Sequence, residues 1–179
     1  LMAQRDILYS PKMQVKSVDN EGKKLLFQDG TEAPFDLLVA LPGHKAPGVV
    51  QEARLTNERG WIPVDRETLA TAFDGVYAIG DVTAIPLANG MMLPKAGVFA
   101  HGEAEVVARN LAAEINGGTP RWAFGGHGNC LVETGFGKAA YGGGNFYAEP
   151  DPAVALRQPS FFWHWAKIGF ERMWLWRWF

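Results

Sequence analysis

The stretch from Gly75 to Ile115 constrains the fold more than any other part of the chain. Gly75-Val76-Tyr77-Ala78-Ile79-Gly80-Asp81 is an apolar run closed by a Gly-Asp pair. That pattern predicts a buried strand ending at the carboxyl edge of a sheet, where open α/β folds bind their ligands. Pro94 then opens a helical stretch predicted over Lys95 to Ile115, since proline suits a first turn. Alanines, valines and leucines there surround a polar stripe of Glu103, Arg109 and Glu114, and Asn116-Gly117-Gly118 is a helix stop. Upstream, strands are expected over Ile7 to Val18, interrupted at Ser10-Pro11, and over Lys24 to Gln28. Asp29-Gly30 suits a tight hairpin turn. The apolar run within Phe35 to Leu41 reads as a strand buried on both faces, and Pro42 to Gly48 breaks it at a domain crossover. Strands alternating with helices place the chain in the α/β class.

Composition narrows what such a chain can do. With 47% hydrophobic and 20% charged residues in 179, the protein is globular. A formal charge of -2 gives no electrostatic reason to expect nucleic acid. Cys130 is the one cysteine, which excludes an intrachain disulfide and any all-cysteine metal site, and no metal is expected. Leu1 to Arg5 contain no apolar segment of a signal peptide, and the start reads as that of a cut chain. Residues 121–158 are glycine-rich and β-like. Gly135-Phe136-Gly137-Lys138-Ala139-Ala140 fits the letters of a relaxed dinucleotide-binding pattern. Tyr141-Gly142-Gly143-Gly144 follows where a helix is required, so the segment reads as a hairpin.

Four groups of residues could carry chemistry. Gly80 leaves room for a ligand, and Asp81 can accept hydrogen bonds from sugar-like hydroxyls; a strand followed by a capping aspartate is the plainer alternative. The start of the long helix carries unpaired N–H groups and the positive dipole end. Aimed at an electron-accepting ring, it would stabilise the charge that appears on reduction, and Lys95 would add to it. The alternative for Lys95 is a solvated side chain. Cys130 is either a small buried hydrophobe or a redox thiol, with His127 three residues away as a base or a plain loop histidine. Phe161 to Phe179 hold five of the seven tryptophans. Ser160 can cap a helix there, and His164, Lys167 and Glu171 would share one face. The segment is too short and too charged for a membrane span but suits an interfacial helix; the competing reading is a core helix of a dimer or of a further domain.

These residues resemble a known family. Thr71-x-x-x-x-Val76-Tyr77-Ala78-Ile79-Gly80-Asp81 is similar to the second FAD-binding motif of two-dinucleotide-binding-domain flavoproteins. Val82-Thr83-Ala84-Ile85-Pro86, then Pro94-Lys95-Ala96-Gly97, resembles more narrowly the sulfide:quinone oxidoreductases and flavocytochrome c sulfide dehydrogenases. The resemblance implies that Asp81 meets the ribityl chain of FAD and that Pro94, Lys95 and Gly97 sit at the flavin pyrimidine end. Asn129-Cys130-Leu131-Val132-Glu133-Thr134-Gly135 resembles the segment bearing the C-terminal redox cysteine, which pairs through sulfur with a second cysteine at the flavin. His164 to Arg172 resembles a membrane-docking C-terminal helix. The strand-Gly-x-Gly-x-x-Gly-helix unit that opens such families and grips the FAD pyrophosphate is not found in this sequence.

The expectation is therefore an α/β, partial two-dinucleotide-binding-domain (FAD/NAD(P)-binding) flavoprotein fold with a β-rich C-terminal region and a terminal amphipathic helix. Residues 1–43 would end a central NAD-like domain, 44–117 return to the FAD-binding domain, 118–160 form the β-rich region, and 161–179 dock on a membrane. The expected activity passes electrons from a reduced donor, with sulfide a candidate, through FAD to quinone. Gly80, Asp81, Val82, Pro94, Lys95 and Gly97 would bind cofactor, and Cys130 would be catalytic. Phe146, Tyr147, Phe162 and Trp165 would flank quinone. The 179 residues alone would be inactive. The expected location is peripheral, on a bacterial cytoplasmic membrane, with homo-oligomerisation open. An NADH:quinone oxidoreductase with an inert Cys130 is one alternative, and a non-catalytic membrane-associated interaction module is another.

Overall fold

The computed structural model describes residue 2 and residues 5–179, and the chain divides into two compact units, Leu1–His44 and Lys45–Phe179. The first is a three-stranded antiparallel sheet in sequence order: β1 (Val15–Asp19), β2 (Lys24–Phe27) and β3 (Glu32–Pro34). Asp29-Gly30 forms the expected turn between β2 and β3. Gly30 adopts φ +86, and the Asp29 carboxylate accepts from the Thr31 N–H and hydroxyl at 2.9 and 2.7 Å.

Two expectations fail in this unit. The upstream strand begins only at Val15, because Pro11 lacks an N–H for a ladder and Lys12 turns through φ +63. The Phe35–Leu41 run forms no strand and is not buried. Leu37, Val39 and Leu41 are 82%, 85% and 93% exposed, because among the described residues no strand pairs with this run.

In the second unit, a short helix α1 (Gly48–Glu52) precedes β4 (Ile62–Pro63), which pairs in parallel with β5 (Thr83–Ala84). The predicted buried strand over Gly75–Asp81 is a further correction. The segment is extended but joins one bridge, Ala70 to Tyr77, and ends in a 3-10 turn over Gly80–Val82. Parallel pairing is made two residues beyond the Gly-Asp pair, at Thr83.

The long helix, α2 (Gly97–Ile115), starts two residues later than predicted, after an N-cap at Ala96. Pro94 and Lys95 thus belong to the approach. Phe99, Glu103, Val106, Val107 and Asn110 are its buried residues, following helical spacing along one face. Glu103 therefore belongs to the buried face and not to an outer stripe. Arg109 instead pairs with Glu105 at 3.6 Å, and Glu114 accepts from the Tyr77 hydroxyl at 3.0 Å. The stop is as expected: Gly117 adopts φ +73 and donates to the Glu114 carbonyl, while Gly118 donates to that of Ala113.

The core gathers Leu69, Ile85, Leu87, Leu93, Phe99, Val106, Val107 and Phe124. Beside it lies a second antiparallel sheet of β6 (His127–Gly135), β7 (Lys138–Asn145) and β8 (Ala153–Leu156). Phe136 and Gly137 form the β6–β7 turn with φ +56 and +68, as the hairpin reading of that glycine pattern requires. The last helix, α3 (Phe161–Trp178), is capped by Ser160, whose hydroxyl accepts from the Trp163 N–H at 3.3 Å.

Glycines 144 and 169 make a contrasting test of this packing. A Cβ on Gly144 would stand 2.0 Å from the Ala153 carbonyl oxygen on the neighbouring strand, whereas one on Gly169, within α3, would meet open space. Gly144→Ala is expected to destabilise by about 1–3 kcal/mol. Gly169→Ala is expected to stabilise by about 0.5–1 kcal/mol. Denaturant melts giving the two substitutions the same sign would contradict the β7–β8 arrangement.

Candidate functional site

The polypeptide converges on the start of α2 from three directions. A cavity of about 10 Å³, the size for one water, is lined by Gly80, Asp81, Pro94, Lys95 and Glu103 among others. A second, of about 160 Å³, lies between Pro94, Ala96, Val98 and the β6–β7 sheet at Cys130 and Gly143. A third, of about 510 Å³, opens between Gly97, Val98 and His101 of α2, Cys130 of β6, and Lys167 and Trp174 of α3. The Gly-Asp turn and the approach to α2 thus share one space. Cys130 shares a space with Pro94 and another with Gly97.

The turn itself is held by side chains. The Gly80 N–H donates to the Glu103 carboxylate at 2.5 Å, and the Thr83 hydroxyl donates back to the Gly80 carbonyl at 2.8 Å. Gly80 adopts φ +73, and a Cβ there would lie 3.2 Å from that of Ala100. Turn conformation and the close approach of α2 both favour glycine here. Val82 closes the same turn and is half-buried. The Asp81 side chain is left exposed.

Lys95 is neither solvated nor a bare charge at the helix end. Its ammonium donates to the carbonyls of Asp81 at 2.5 Å and Thr83 at 3.0 Å, and lies 3.6 Å from the centre of the Trp61 ring. Desolvation lowers its pKa, partly offset by the charges of Asp81 and Glu103. Glu103 is 1% exposed, and burial pushes its carboxyl above the usual carboxylate range despite the Gly80 N–H.

The first turn of α2 has no side-chain cap and no acidic residue, and open space lies beside Gly97. Uncapped N–H groups, a positive dipole end and an exposed Asp81 carboxylate suit a ligand with electron-poor and hydroxyl-bearing parts.

Cys130 is exposed on β6, paired with Gly142. His127 is three residues away on the same strand, so its side chain points to the other face and is not a base for this thiol. Lys138 lies 5.2 Å over the Phe161 ring. Across the large cleft, Cys130 instead looks toward His101, Lys167 and Glu171, which come from other elements. Among the described residues, no three His, Cys, Asp or Glu side chains group to hold a metal.

The four aromatics expected to flank quinone do not form one group. Phe146 packs edge-on against Phe99 with ring centroids 4.9 Å apart, and Tyr147 packs against Phe124 while its hydroxyl donates to the Arg66 carbonyl at 2.7 Å. Burial holds the Tyr147 hydroxyl well above its usual pKa. Phe162 and Trp165 are 68% and 67% exposed on α3.

On α3, His164 and Lys167 turn inward to Glu133 of β6, at 3.1 and 3.8 Å, and Lys167 also pairs with Glu171 at 2.7 Å. That last hydrogen bond is the main cause raising the Lys167 pKa. Trp163 stacks on Tyr141, and Trp174 meets His101 edge-on. The inward face is thus mixed, while Trp176 and Phe179 are 87% and 97% exposed. No helix among the described residues is long and apolar enough to cross a membrane.

An α/β frame with an exposed carboxylate in a turn beside an uncapped helix start suits a dinucleotide cofactor. Residues 1–104 match the pyridine nucleotide-disulphide oxidoreductases, and the chain belongs to that family of FAD-binding flavoproteins. Over 140 residues it is 29% identical to the mitochondrial sulfide:quinone oxidoreductase of Schizosaccharomyces pombe, covering 75% of this chain and 29% of that protein. Over 91 residues it is 32% identical to the type II NADH:quinone oxidoreductase of Haemophilus influenzae, covering 50% of this chain and 20% of that protein. The crystal structure of the Aquifex aeolicus sulfide:quinone oxidoreductase superposes with a TM-score of 0.82 at 23% identity, over 98% of this chain and 43% of that one. The flavoprotein fold is thereby established, and the chain spans less than a third of the length of these two curated relatives.

Proposed function

We propose that this chain supplies one side of the flavin site of a sulfide:quinone oxidoreductase-like enzyme. The observation that carries the reading is the convergence of the Asp81 turn, the uncapped start of α2 and Cys130 on adjoining cavities. When bound, FAD supplies reversible two-electron transfer. Asp81 would accept hydrogen bonds from the ribityl hydroxyls. The Gly97 and Val98 N–H groups would present the positive end of α2 to the electron-accepting ring, with Pro94 shaping the approach. Lys95 would act on the cofactor only through the turn it holds. Gly80 and Val82 contribute the backbone of that turn.

Cys130 is the thiol through which a sulfide donor enters. Hydrosulfide would attack a disulfide between Cys130 and a cysteine outside these 179 residues, leaving a persulfide on one cysteine and a thiolate on the other. A second sulfur nucleophile of the sulfide or thiol class would take the outer sulfur, and reclosure of the two thiolates to the disulfide would release two electrons to FAD, with quinone, taking up two protons, as the final acceptor. The apolar cleft of about 510 Å³ beside Cys130 is the better place for a quinone head. Phe146 and Tyr147 pack instead against the core of the unit, and Phe162 and Trp165 belong to the outward face of α3.

Similarity to the Haemophilus influenzae protein favours NADH as a second reading for the donor. Titrating the oxidised intact protein with sulfide, then NADH, while recording its visible spectrum decides between them. Bleaching of the flavin band by sulfide is expected; bleaching by NADH alone removes the thiol route, and no flavin band at all removes the reading.

The outward tryptophans and phenylalanines of α3, with Arg172 and Arg177, support peripheral docking on a membrane surface. Charging this surface by Trp165→Glu with Trp176→Glu is expected to lower flotation with anionic liposomes at least about tenfold. Equal flotation of variant and parent protein would rule out α3 as the contact.

A further inference from the structure

The Gly80–Val82 turn has more fixings than its own hydrogen bonds require. The Glu103 carboxylate holds the N–H that opens it, and the Lys95 ammonium holds the Asp81 and Thr83 carbonyls at its middle and end. Lys95 is itself covered by the Trp61 ring at 3.6 Å. Trp61 is placed for this by its own turn. The Asn57 side chain accepts from the Trp61 N–H at 3.1 Å, and the Trp61 carbonyl accepts from the Asn57 N–H at 2.8 Å. The next residue, Ile62, pairs with Thr83 in the β4–β5 ladder, which sets the ring beside the carbonyls that Lys95 grips.

We propose that Trp61 is a positioning residue for the cofactor side of the site. By covering the Lys95 ammonium it keeps that charge on the Asp81 and Thr83 carbonyls, and so fixes where the exposed Asp81 carboxylate is presented. The geometry is specific to a cation under an aromatic face, because the ring quadrupole attracts the ammonium where a merely apolar cover would not. Without the ring, water reaches the ammonium and competes with both carbonyls. The charge is then free to swing into a hydrogen bond with the Asp81 carboxylate itself, where it now bonds the Asp81 and Thr83 carbonyls.

This inference rests on the flavin reading for its functional half and on packing alone for its structural half, and the test separates the two. In Trp61→Leu the rate at which an amine-reactive ester labels Lys95, followed by mass spectrometry on the flavin-free intact protein, is expected to rise. FAD affinity of the same variant is expected to fall about three- to thirtyfold, the range equivalent to one partly desolvated cation–π contact. Trp61→Phe, which keeps an aromatic face, is expected to remain within about threefold of the parent in both measurements. Unchanged Lys95 labelling in Trp61→Leu overturns the cover, whatever the flavin does. Faster labelling with unchanged FAD affinity overturns the positioning role. If neither parent nor variants take up FAD, the proposed function fails, while the labelling still decides whether Trp61 shields the lysine.

Discussion

Serine at position 130 is expected to lower sulfide-driven turnover of the intact flavoprotein at least about a hundredfold, with any NADH-driven turnover unchanged. The substitution is nearly isosteric, and Cys130 is exposed, so little packing is at stake. What changes is chemistry: a hydroxyl cannot form or exchange a disulfide. Cys130 is also the only cysteine in the 179 residues, so no neighbour within them can take over. Cys130 lines two cavities beside the start of α2, and on the proposed reading one would admit the donor while the other faces the flavin. Sulfide turnover that survives Cys130→Ser would remove the thiol step and leave Cys130 as a strand residue.

Glu103→Ala is expected to destabilise the folded chain by about 2–4 kcal/mol. It strands the partly buried Gly80 N–H and opens a cavity between α2 and the turn. For a protein of this size the midpoint of thermal unfolding should fall by roughly 5–15 °C. Glu103→Gln keeps an oxygen for the Gly80 N–H and should cost much less. It also isolates a pH effect. Because burial raises the Glu103 pKa, the folded state holds this proton over a range where the unfolded chain has released it. Stability from this group is therefore complete below the usual carboxylate range and is lost as pH rises through the elevated value. The decline should vanish in Glu103→Gln. A parallel decline in parent and Gln variant, in denaturant melts across that range, would assign the slope to other groups.

Some of this site was legible before any coordinates. The helix stop at Asn116-Gly117-Gly118, the Asp29-Gly30 turn, the hairpin at Gly135-Phe136-Gly137 and the cap at Ser160 are local, each set by one or two residues whose backbone preferences leave few choices. The pairing of Gly80-Asp81 with Pro94-Lys95 was also visible, as what the family resemblance of the two segments implies. The partners of those residues were not. Trp61 lies 20 residues before Asp81 and carries no local signal. Nor does anything local mark His101 as the residue that Trp174 of α3 meets edge-on.

The failed expectations have the same origin. An apolar run such as Leu37 to Leu41 can be buried on both faces only where neighbouring strands exist, and pairing is not encoded in the run itself. Glu103 looks like part of an outer stripe because a carboxylate in a helix is usually solvated. Only the turn packed against α2 supplies the N–H that makes its burial tolerable. The sequence alone determined the turns, the caps, the one thiol and the family pattern, since these depend on residues near one another along the chain. Tertiary structure decided which face of each helix is buried, where the charge of Lys95 is spent and what surrounds Cys130. Those outcomes follow from desolvation and pairing between distant segments, and desolvation has no meaning until the segments meet.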